Sequence, residues 1–167
     1  MDILSPRTIR LGLTASDKEQ AIRLAGQLLV AEKYVAPEYV LGMVAREKIA
    51  SNYLGHGIAI PHGRQEDLKY VYQSGVSLVQ LPEGVAWQAG ENTIAGENTI
   101  VGEKDFAGER TCAGEKAYLV VGLAAASNDL SVILSNLLEV LRNPTLIQQL
   151  VQTDDPQLII AALAGRS

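Results

Sequence analysis

Tyr118-Leu119-Val120-Val121-Gly122-Leu123-Ala124 is the stretch that decides the fold. It carries no charged or amide side chain, which is typical of an interior strand covered on both faces. A second segment, from Ser74 to Leu81, mixes apolar and polar side chains in near alternation. This pattern predicts a half-buried strand, which the turn residues Pro82-Glu83-Gly84 should end. The two segments together predict a β-sheet at the centre of the molecule.

Helical patterns precede these strands. Ser16-Asp17-Lys18-Glu19 reads as a capping box, and the apolar residues that follow it recur at helical spacing, so we expect a helix over roughly 16–32. Pro37 suits the start of a second helix, which would bring Arg46 toward its end.

Further helices are predicted after the apolar strand. A leucine-rich helix should begin near three possible caps, Ser127, Asn128 and Asp129, and two more segments should open at Pro144 and Pro156. Helix pairs that alternate with short strands indicate a sheet covered by helices, an α/β or α+β domain.

Composition excludes several classes of protein. A chain of 167 residues with 47% apolar and 20% charged residues fits one globular domain. The net charge of -5, without a run of basic residues, makes nucleic acid an unexpected partner. No segment resembles a signal peptide or a membrane span, so we expect a cytoplasmic protein without direct membrane insertion. The single cysteine, Cys112, predicts neither a disulfide nor a zinc site. The start at Met1 and the end soon after the last helix fit a free-standing polypeptide.

The stretch Gly57-Ile58-Ala59-Ile60-Pro61-His62-Gly63 carries the chemistry. A short apolar run stops at a proline and delivers one of only two histidines onto a glycine-containing turn. A neutral imidazole at a strand end is a competent nucleophile that another protein can reach. From the motif alone, a histidine that caps a turn or lies on the surface is an equal alternative. The other histidine, His56, reads as a surface or loop residue.

Residues 89–118 read as five hexads, each of which begins with alanine or valine followed by Gly-Glu. The first two hexads are identical. Hexapeptide repeats can build a β-helix, but five of them make fewer than two coils, so a loop or a loosely paired β excursion is favoured. We therefore expect a single domain over 1–167 with a hexad-repeat insertion at 89–118.

The chain resembles the mannitol/fructose-type enzyme IIA domains of the phosphoenolpyruvate-dependent sugar phosphotransferase system, and the mannitol branch most closely. The resemblance rests on the segment from Gly57 to Gly63, on Arg46-Glu47-Lys48, and on several apolar pieces that include 34–40 and 119–125. It covers nearly all of the chain except the hexads. It implies an α/β (α+β) fold, with a mixed β-sheet of about five strands flanked by helices on both faces.

The resemblance also implies a reaction and its partners. His62 would accept a phosphoryl group from the phosphohistidine of the phosphocarrier protein and pass it to a cysteine of the enzyme IIB domain of a sugar permease. Arg46 would lie beside the phosphoryl group, where a guanidinium suits phosphate oxygens; the alternative is a solvated arginine at a helix end. No metal and no organic cofactor is implied. The chain would then be a phosphotransferase component with a phosphohistidine intermediate.

One position departs from the family pattern. Many mannitol-type domains have a second active-site histidine at the start of the helix after the apolar strand, where this chain has Leu130. Three interpretations stay open: the second histidine is dispensable, Asn128 supplies a phosphate-binding donor in its place, or the protein has diverged toward regulation. In the regulatory alternative, the phosphorylation state of His62 controls a partner protein. An inactive domain retained as a scaffold is a weaker possibility.

Overall fold

The computed structural model describes residues 4–87, 116–126 and 129–164. Its centre is a five-stranded sheet in the order β1-β4-β5-β3-β2. The strands are β1 (Ile9–Arg10), β2 (Tyr53–Gly55), β3 (Ile58–Ala59), β4 (Gly75–Ala86) and β5 (Lys116–Ala124). The β1–β4 and β3–β5 pairs are parallel, whereas the β4–β5 and β2–β3 pairs are antiparallel. The mixed sheet of about five strands is therefore confirmed.

Helices cover both faces of this sheet, as expected. They are α1 (Lys18–Ala31), α2 (Glu38–Ile49), α3 (Asp129–Val140), α4 (Pro144–Gln152) and α5 (Pro156–Ala164). Alternate residues of β5 point to opposite faces: Val120 packs in one apolar cluster with α1 and α2, while Val121 packs in a second cluster with α3, α4 and α5. The interior position predicted for the apolar strand is confirmed, because Leu119 to Ala124 are buried throughout.

The prediction for the strand at 74–81 was wrong in two respects. The strand β4 does not end at Pro82-Glu83-Gly84 but continues to Ala86, through an irregularity in its pairing with β5 between Gln80 and Val85. It is also buried on both faces over Gly75–Leu81 rather than half-buried. Its polar residues are satisfied inside: the Ser77 hydroxyl donates to the Ala25 carbonyl at 2.8 Å, and the Gln80 amide donates to the Leu150 carbonyl at 2.9 Å.

The helix starts agree with the sequence except for one cap. The side chain of Asp17, not of Ser16, accepts the Gln20 backbone N–H at 2.9 Å and begins α1. The predicted capping box does not form, because the Ser16 backbone N–H donates to Gln20 Oε1 at 2.6 Å and Glu19 pairs with Arg23, 2.9 Å away. Pro37 immediately precedes α2, and Pro144 and Pro156 are the first residues of α4 and α5, as predicted.

The hexads lie almost wholly outside the described residues. Their last three residues, 116–118, are the first residues of strand β5. The candidate caps Ser127 and Asn128 are also outside the described residues. Within residues 4–87, 116–126 and 129–164, no helix has both the length and the apolar character needed to cross a bilayer.

Candidate active site

His62 lies where two neighbouring strands approach the same edge of the sheet. It follows β3 by three residues and forms an isolated parallel bridge with Leu123, near the end of β5. The Leu123 backbone N–H donates to the Pro61 carbonyl at 3.0 Å. The proline therefore does not break the contact, since it contributes only its carbonyl. The imidazole is half-buried, and its backbone is anchored to the central strand.

One hydrogen bond fixes which nitrogen of His62 is reactive. The ring nitrogen Nδ1 lies 3.0 Å from the Ile60 carbonyl oxygen. A carbonyl can only accept, so in the neutral ring Nδ1 carries the hydrogen and Nε2 keeps its lone pair. Burial lowers the pKa of His62 below its usual value, and the charge of Arg46 lowers it further, while the Ile60 carbonyl and Glu47 raise it. The net effect favours the neutral, nucleophilic ring.

The hydroxyl of Tyr39 holds the turn that carries His62. It accepts the backbone N–H of Gly63 at 2.9 Å and donates to the carbonyl of Leu123 at 2.9 Å. Burial raises the pKa of Tyr39 to about 12, so the phenol stays protonated and able to donate. Glycine is required at position 63, because a Cβ there would lie 2.6 Å from Cε1 of the Tyr39 ring. Sequence reasoning placed Tyr39 on a helix and gave it no role.

A second anchor lies just beyond the turn. The carboxylate of Asp67 accepts the Arg64 backbone N–H at 2.9 Å and binds the Arg64 guanidinium through two hydrogen bonds of 2.9 and 3.1 Å. The hydrogen bond from the Arg64 side chain is the main reason that the pKa of Asp67 is lowered. A side chain at Gly42 of α2 would collide with this carboxylate. The charged pair, which sequence reasoning missed, thus braces the chain just after His62, and its carboxylate packs closely against Gly42 of α2.

Arg46 lies in the last turn of α2, where the sequence predicted it. Its Nη1 donates to the Ala50 carbonyl at 2.8 Å, which is the helix-end arrangement that the alternative interpretation describes. Its charge nevertheless lies close enough to His62 to lower the pKa of the imidazole. In the structure, the two predicted residues are therefore close enough to interact electrostatically. A guanidinium with several donors can keep a contact to the helix end and still turn a further N–H toward an anion.

The third predicted residue, Asn128, is not among the described residues. The described residues on either side of it share one partner, because Ser74 Oγ accepts the Ala126 backbone N–H at 2.9 Å and donates to Asp129 at 2.8 Å. Leu130 is half-buried and packs against the apolar cluster beneath α3, so it contributes to the core.

His56 occupies a different place from His62. It lies in the turn of the β2–β3 hairpin, with a positive φ of 57°, and its side chain is exposed. The surface position predicted for it is confirmed. Within the described part of the chain, no group of three or more histidine, cysteine, aspartate or glutamate side chains is arranged to hold a metal ion.

Comparison with known proteins identifies the family of this chain. The model of the family described as "Phosphoenolpyruvate-dependent sugar phosphotransferase system, EIIA 2" matches residues 2–97. The chain belongs to this EIIA 2 family. The resemblance to mannitol/fructose-type enzyme IIA domains is thereby confirmed. Its mannitol branch is confirmed by the mannitol-specific relatives and solved structures that the chain also matches.

Individual EIIA 2 relatives span almost the whole chain. It is 34% identical over 161 residues to the mannitol-specific phosphotransferase enzyme IIA component of Bacillus subtilis, covering 96% of each. It is 35% identical, with a TM-score of 0.79, to a chain in a complex of mannitol enzyme IIA and phosphorylated mannitol enzyme IIB from Escherichia coli, covering 97% of each. It is 40% identical over 162 residues to the multiphosphoryl transfer protein of Xanthomonas campestris, covering 97% of this chain. It spans only 16% of that relative's length, and 22% of the mannitol-specific EIICBA component of Pasteurella multocida.

Proposed function

We propose that this EIIA 2 chain is a phosphoryl-transfer component of sugar uptake. His62 accepts a phosphoryl group from the phosphohistidine of the phosphocarrier protein and passes it to a cysteine of an enzyme IIB domain. The observation that carries the proposal is the hydrogen bond between Nδ1 of His62 and the Ile60 carbonyl, at 3.0 Å. It leaves Nε2 as the nucleophile on a half-buried ring at the edge of the sheet.

The transfer balances without a cofactor. The lone pair of Nε2 attacks phosphorus while the phosphorus–nitrogen bond of the donor's phosphohistidine breaks. The bonding pair stays on the donor's ring, which leaves as a neutral imidazole when its other nitrogen carries a hydrogen, and the positive charge passes to the ring of His62. The phosphorylated ring keeps its Nδ1–H, which goes on donating to Ile60. In the second step a cysteine thiolate attacks phosphorus, and the phosphorus–Nε2 bond breaks. The neutral imidazole is then restored with its hydrogen still on Nδ1.

Arg46 supplies the positive charge that this reaction needs. Phosphoryl transfer depends mainly on alignment and on stabilising the charge of the moving group. Arg46 is half-buried, and its charge already acts on the pKa of His62 before any phosphate arrives. We assign it the role of binding the phosphoryl oxygens during both steps. Asn128 stays a candidate for a second donor.

The partners follow from the relatives. One relative is a chain in a complex with phosphorylated enzyme IIB, and another is named a multiphosphoryl transfer protein. We therefore propose the phosphocarrier protein and an enzyme IIB domain as the two partners, and a cytoplasmic location where both can be met. We also infer that residues 1–167 act as one domain, which the single five-stranded sheet supports.

Labelling tests this proposal directly. The chain is incubated with phosphoenolpyruvate, enzyme I and the phosphocarrier protein, and we expect an acid-labile phosphate that His62→Ala abolishes and that His56→Ala, the matched control, retains. Absence of label on the parent chain would refute the proposal.

A second stage separates transport from regulation. A mannitol-type enzyme IIB domain is added to the labelled chain. Passage of the label to its cysteine is expected. Retention of the label on His62 would instead favour the regulatory alternative.

A further inference from the structure

Glu47, the residue after Arg46, is a buried carboxylate that has no role in the phosphoryl transfer described above. It is only 5% exposed. Its Oε1 accepts the backbone N–H and the side-chain amide of Asn52, at 3.0 and 3.1 Å. Its Oε2 accepts the indole N–H of Trp87 at 2.9 Å and lies 3.4 Å from the ammonium of Lys18. A carboxylate held by this many donors has a defined position and costs little to bury.

The contacts of Glu47 lead to the reactive ring. Asn52, which donates twice to Glu47, also accepts a hydrogen bond. Its backbone carbonyl accepts the backbone N–H of Ile60 at 3.0 Å. The carbonyl of Ile60 in turn accepts Nδ1–H of His62 at 3.0 Å. Two residues, Asn52 and Ile60, therefore connect the Glu47 carboxylate to the ring of His62.

The same carboxylate also fixes the other half of the site. Glu47 lies in the last turn of α2 beside Arg46. Its side chain is held by residues from the start of α1, from the segment before β2 and from the position directly after β4. The end of this helix is therefore linked to the ends of two strands and cannot shift independently of them.

We propose that Glu47 is a positioning residue for phosphoryl transfer, which sets Arg46 and the Nδ1–H tautomer of His62 relative to each other. It acts through the end of α2 on one side and through Asn52 and Ile60 on the other. This inference rests on the proposed function, since it assigns Glu47 a part in that reaction.

Glu47→Gln is the informative substitution, because it keeps the size of the side chain. A carboxamide has one acceptor oxygen where the carboxylate has two. Whichever way it turns, its NH₂ group meets donors, either those of Asn52 or those of Trp87 and Lys18. The repulsion between these donors should push the side chain and Asn52 apart. The Ile60 carbonyl should move as well, because the backbone N–H of Ile60 is bonded to Asn52. A displacement of about 1 Å can cost roughly 100-fold in rate, so we expect a 10- to 100-fold fall in kcat/KM for labelling.

Two variants make the rate measurement specific. Glu38→Gln makes the same chemical change at an exposed position in the first turn of α2, and should keep parental kcat/KM. Glu47→Gln combined with Trp87→Phe removes one of the conflicting donors, and should recover part of the lost rate. A Glu47→Gln rate within twofold of the parent, or a double variant slower than the single one, would overturn the proposal.

The tautomer of His62 gives a readout that a merely structural role would not move. Nitrogen-15 spectra of the imidazole, recorded at a pH where the ring is neutral, should show hydrogen on Nδ1 alone in the parent and in Glu38→Gln, and a mixture of tautomers in Glu47→Gln. An unchanged tautomer in a slow but folded Glu47→Gln would also overturn the proposal. These spectra need no phosphoryl donor, so they decide the role of Glu47 in the tautomer even if the parent chain takes no label.

Discussion

Tyr39→Phe tests whether the turn of His62 is held by a single hydroxyl. The substitution keeps the ring, which is buried in the cluster beneath α1 and α2, and removes only the oxygen. That oxygen joins the Gly63 N–H to the Leu123 carbonyl, with both distances at 2.9 Å. The variant should therefore fold, but with the turn separated from the end of β5.

The magnitude follows from the two groups that lose a partner. An unpaired polar group that is buried costs about 1–3 kcal/mol. Leu123 is fully buried, whereas Gly63 is half-buried and can turn toward water, so the lower part of this range applies to Gly63. We expect a loss of about 2–3 kcal/mol in the free energy of unfolding at pH 7. A fall of roughly 10-fold in kcat/KM for labelling should accompany it, because Gly63 is the neighbour of His62.

Urea unfolding followed by tryptophan fluorescence measures this loss. Trp87 is the single tryptophan of the chain and is fully buried, so its emission should report unfolding of the core. Tyr72→Phe is the matched control, since Tyr72 is 67% exposed and should lose less than about 0.5 kcal/mol. A loss equal to that of the control, with normal labelling, would refute the reasoning, because it would mean that the turn keeps its position without the hydroxyl.

The pH dependence of the free energy of unfolding, measured for the parent and for Tyr39→Phe, provides a second check. The pKa of Tyr39 is about 12 in the folded chain and 10.0 in its ordinary state, so the unfolded chain releases the proton first. The stability that protonated Tyr39 gives to the folded chain is thus complete below pH 10 and is lost as the pH rises toward 12. At pH 11 about 1.4 kcal/mol should be gone from the parent but not from Tyr39→Phe. The difference in stability between the two proteins should therefore narrow above pH 10, and a constant difference would contradict the assignment.

Three further predictions concern the charges around His62. Arg46→Gln should raise the pKa of His62 in an NMR titration, because a charge that lowers it is removed, and should slow labelling by about 100-fold. A pKa that stays the same or falls would contradict the proposed action of Arg46 on the ring. Asp67→Asn should destabilise the chain near neutral pH by breaking its pair with Arg64. Since the pKa of Asp67 is lowered in the folded state, the difference from the parent should shrink as the pH falls below the ordinary aspartate value; a pH-independent difference in urea unfolding would count against the pair. Gly63→Ala should cost about 1–3 kcal/mol by collision with Tyr39, and a neutral effect would show that the ring can move.

The sequence was a good guide where one physical factor dominates. The run at 118–124, without a charged or amide side chain, indicated an interior strand, which the structure confirms. Pro37, Pro144 and Pro156 marked helix starts because proline is tolerated there and almost nowhere else in a helix. The proline before His62 likewise marked a strand end.

Residues whose role depends on distant contacts escaped prediction. Ser77 and Gln80 made β4 look half-exposed, although both side chains are buried and satisfied by carbonyls of α1 and of α4. Tyr39 and Glu47 lie on a helix where their types are unremarkable, and their partners are remote in sequence. A single sequence contains no signal that links such pairs.

These long-range contacts explain how so short a strand can position a reactive ring. Strand β3 has only two residues, and His62 lies three residues beyond its end, where ladder hydrogen bonds alone would leave the chain free to move. The turn is instead tied by Tyr39 to β5 and through Ile60 and Asn52 to Glu47, while the Asp67 carboxylate packs against Gly42 of α2. Each tie comes from a different part of the sequence and forms only when the core does. The geometry of the site is therefore a consequence of global folding, and variants that weaken any one tie should slow transfer before they unfold the chain.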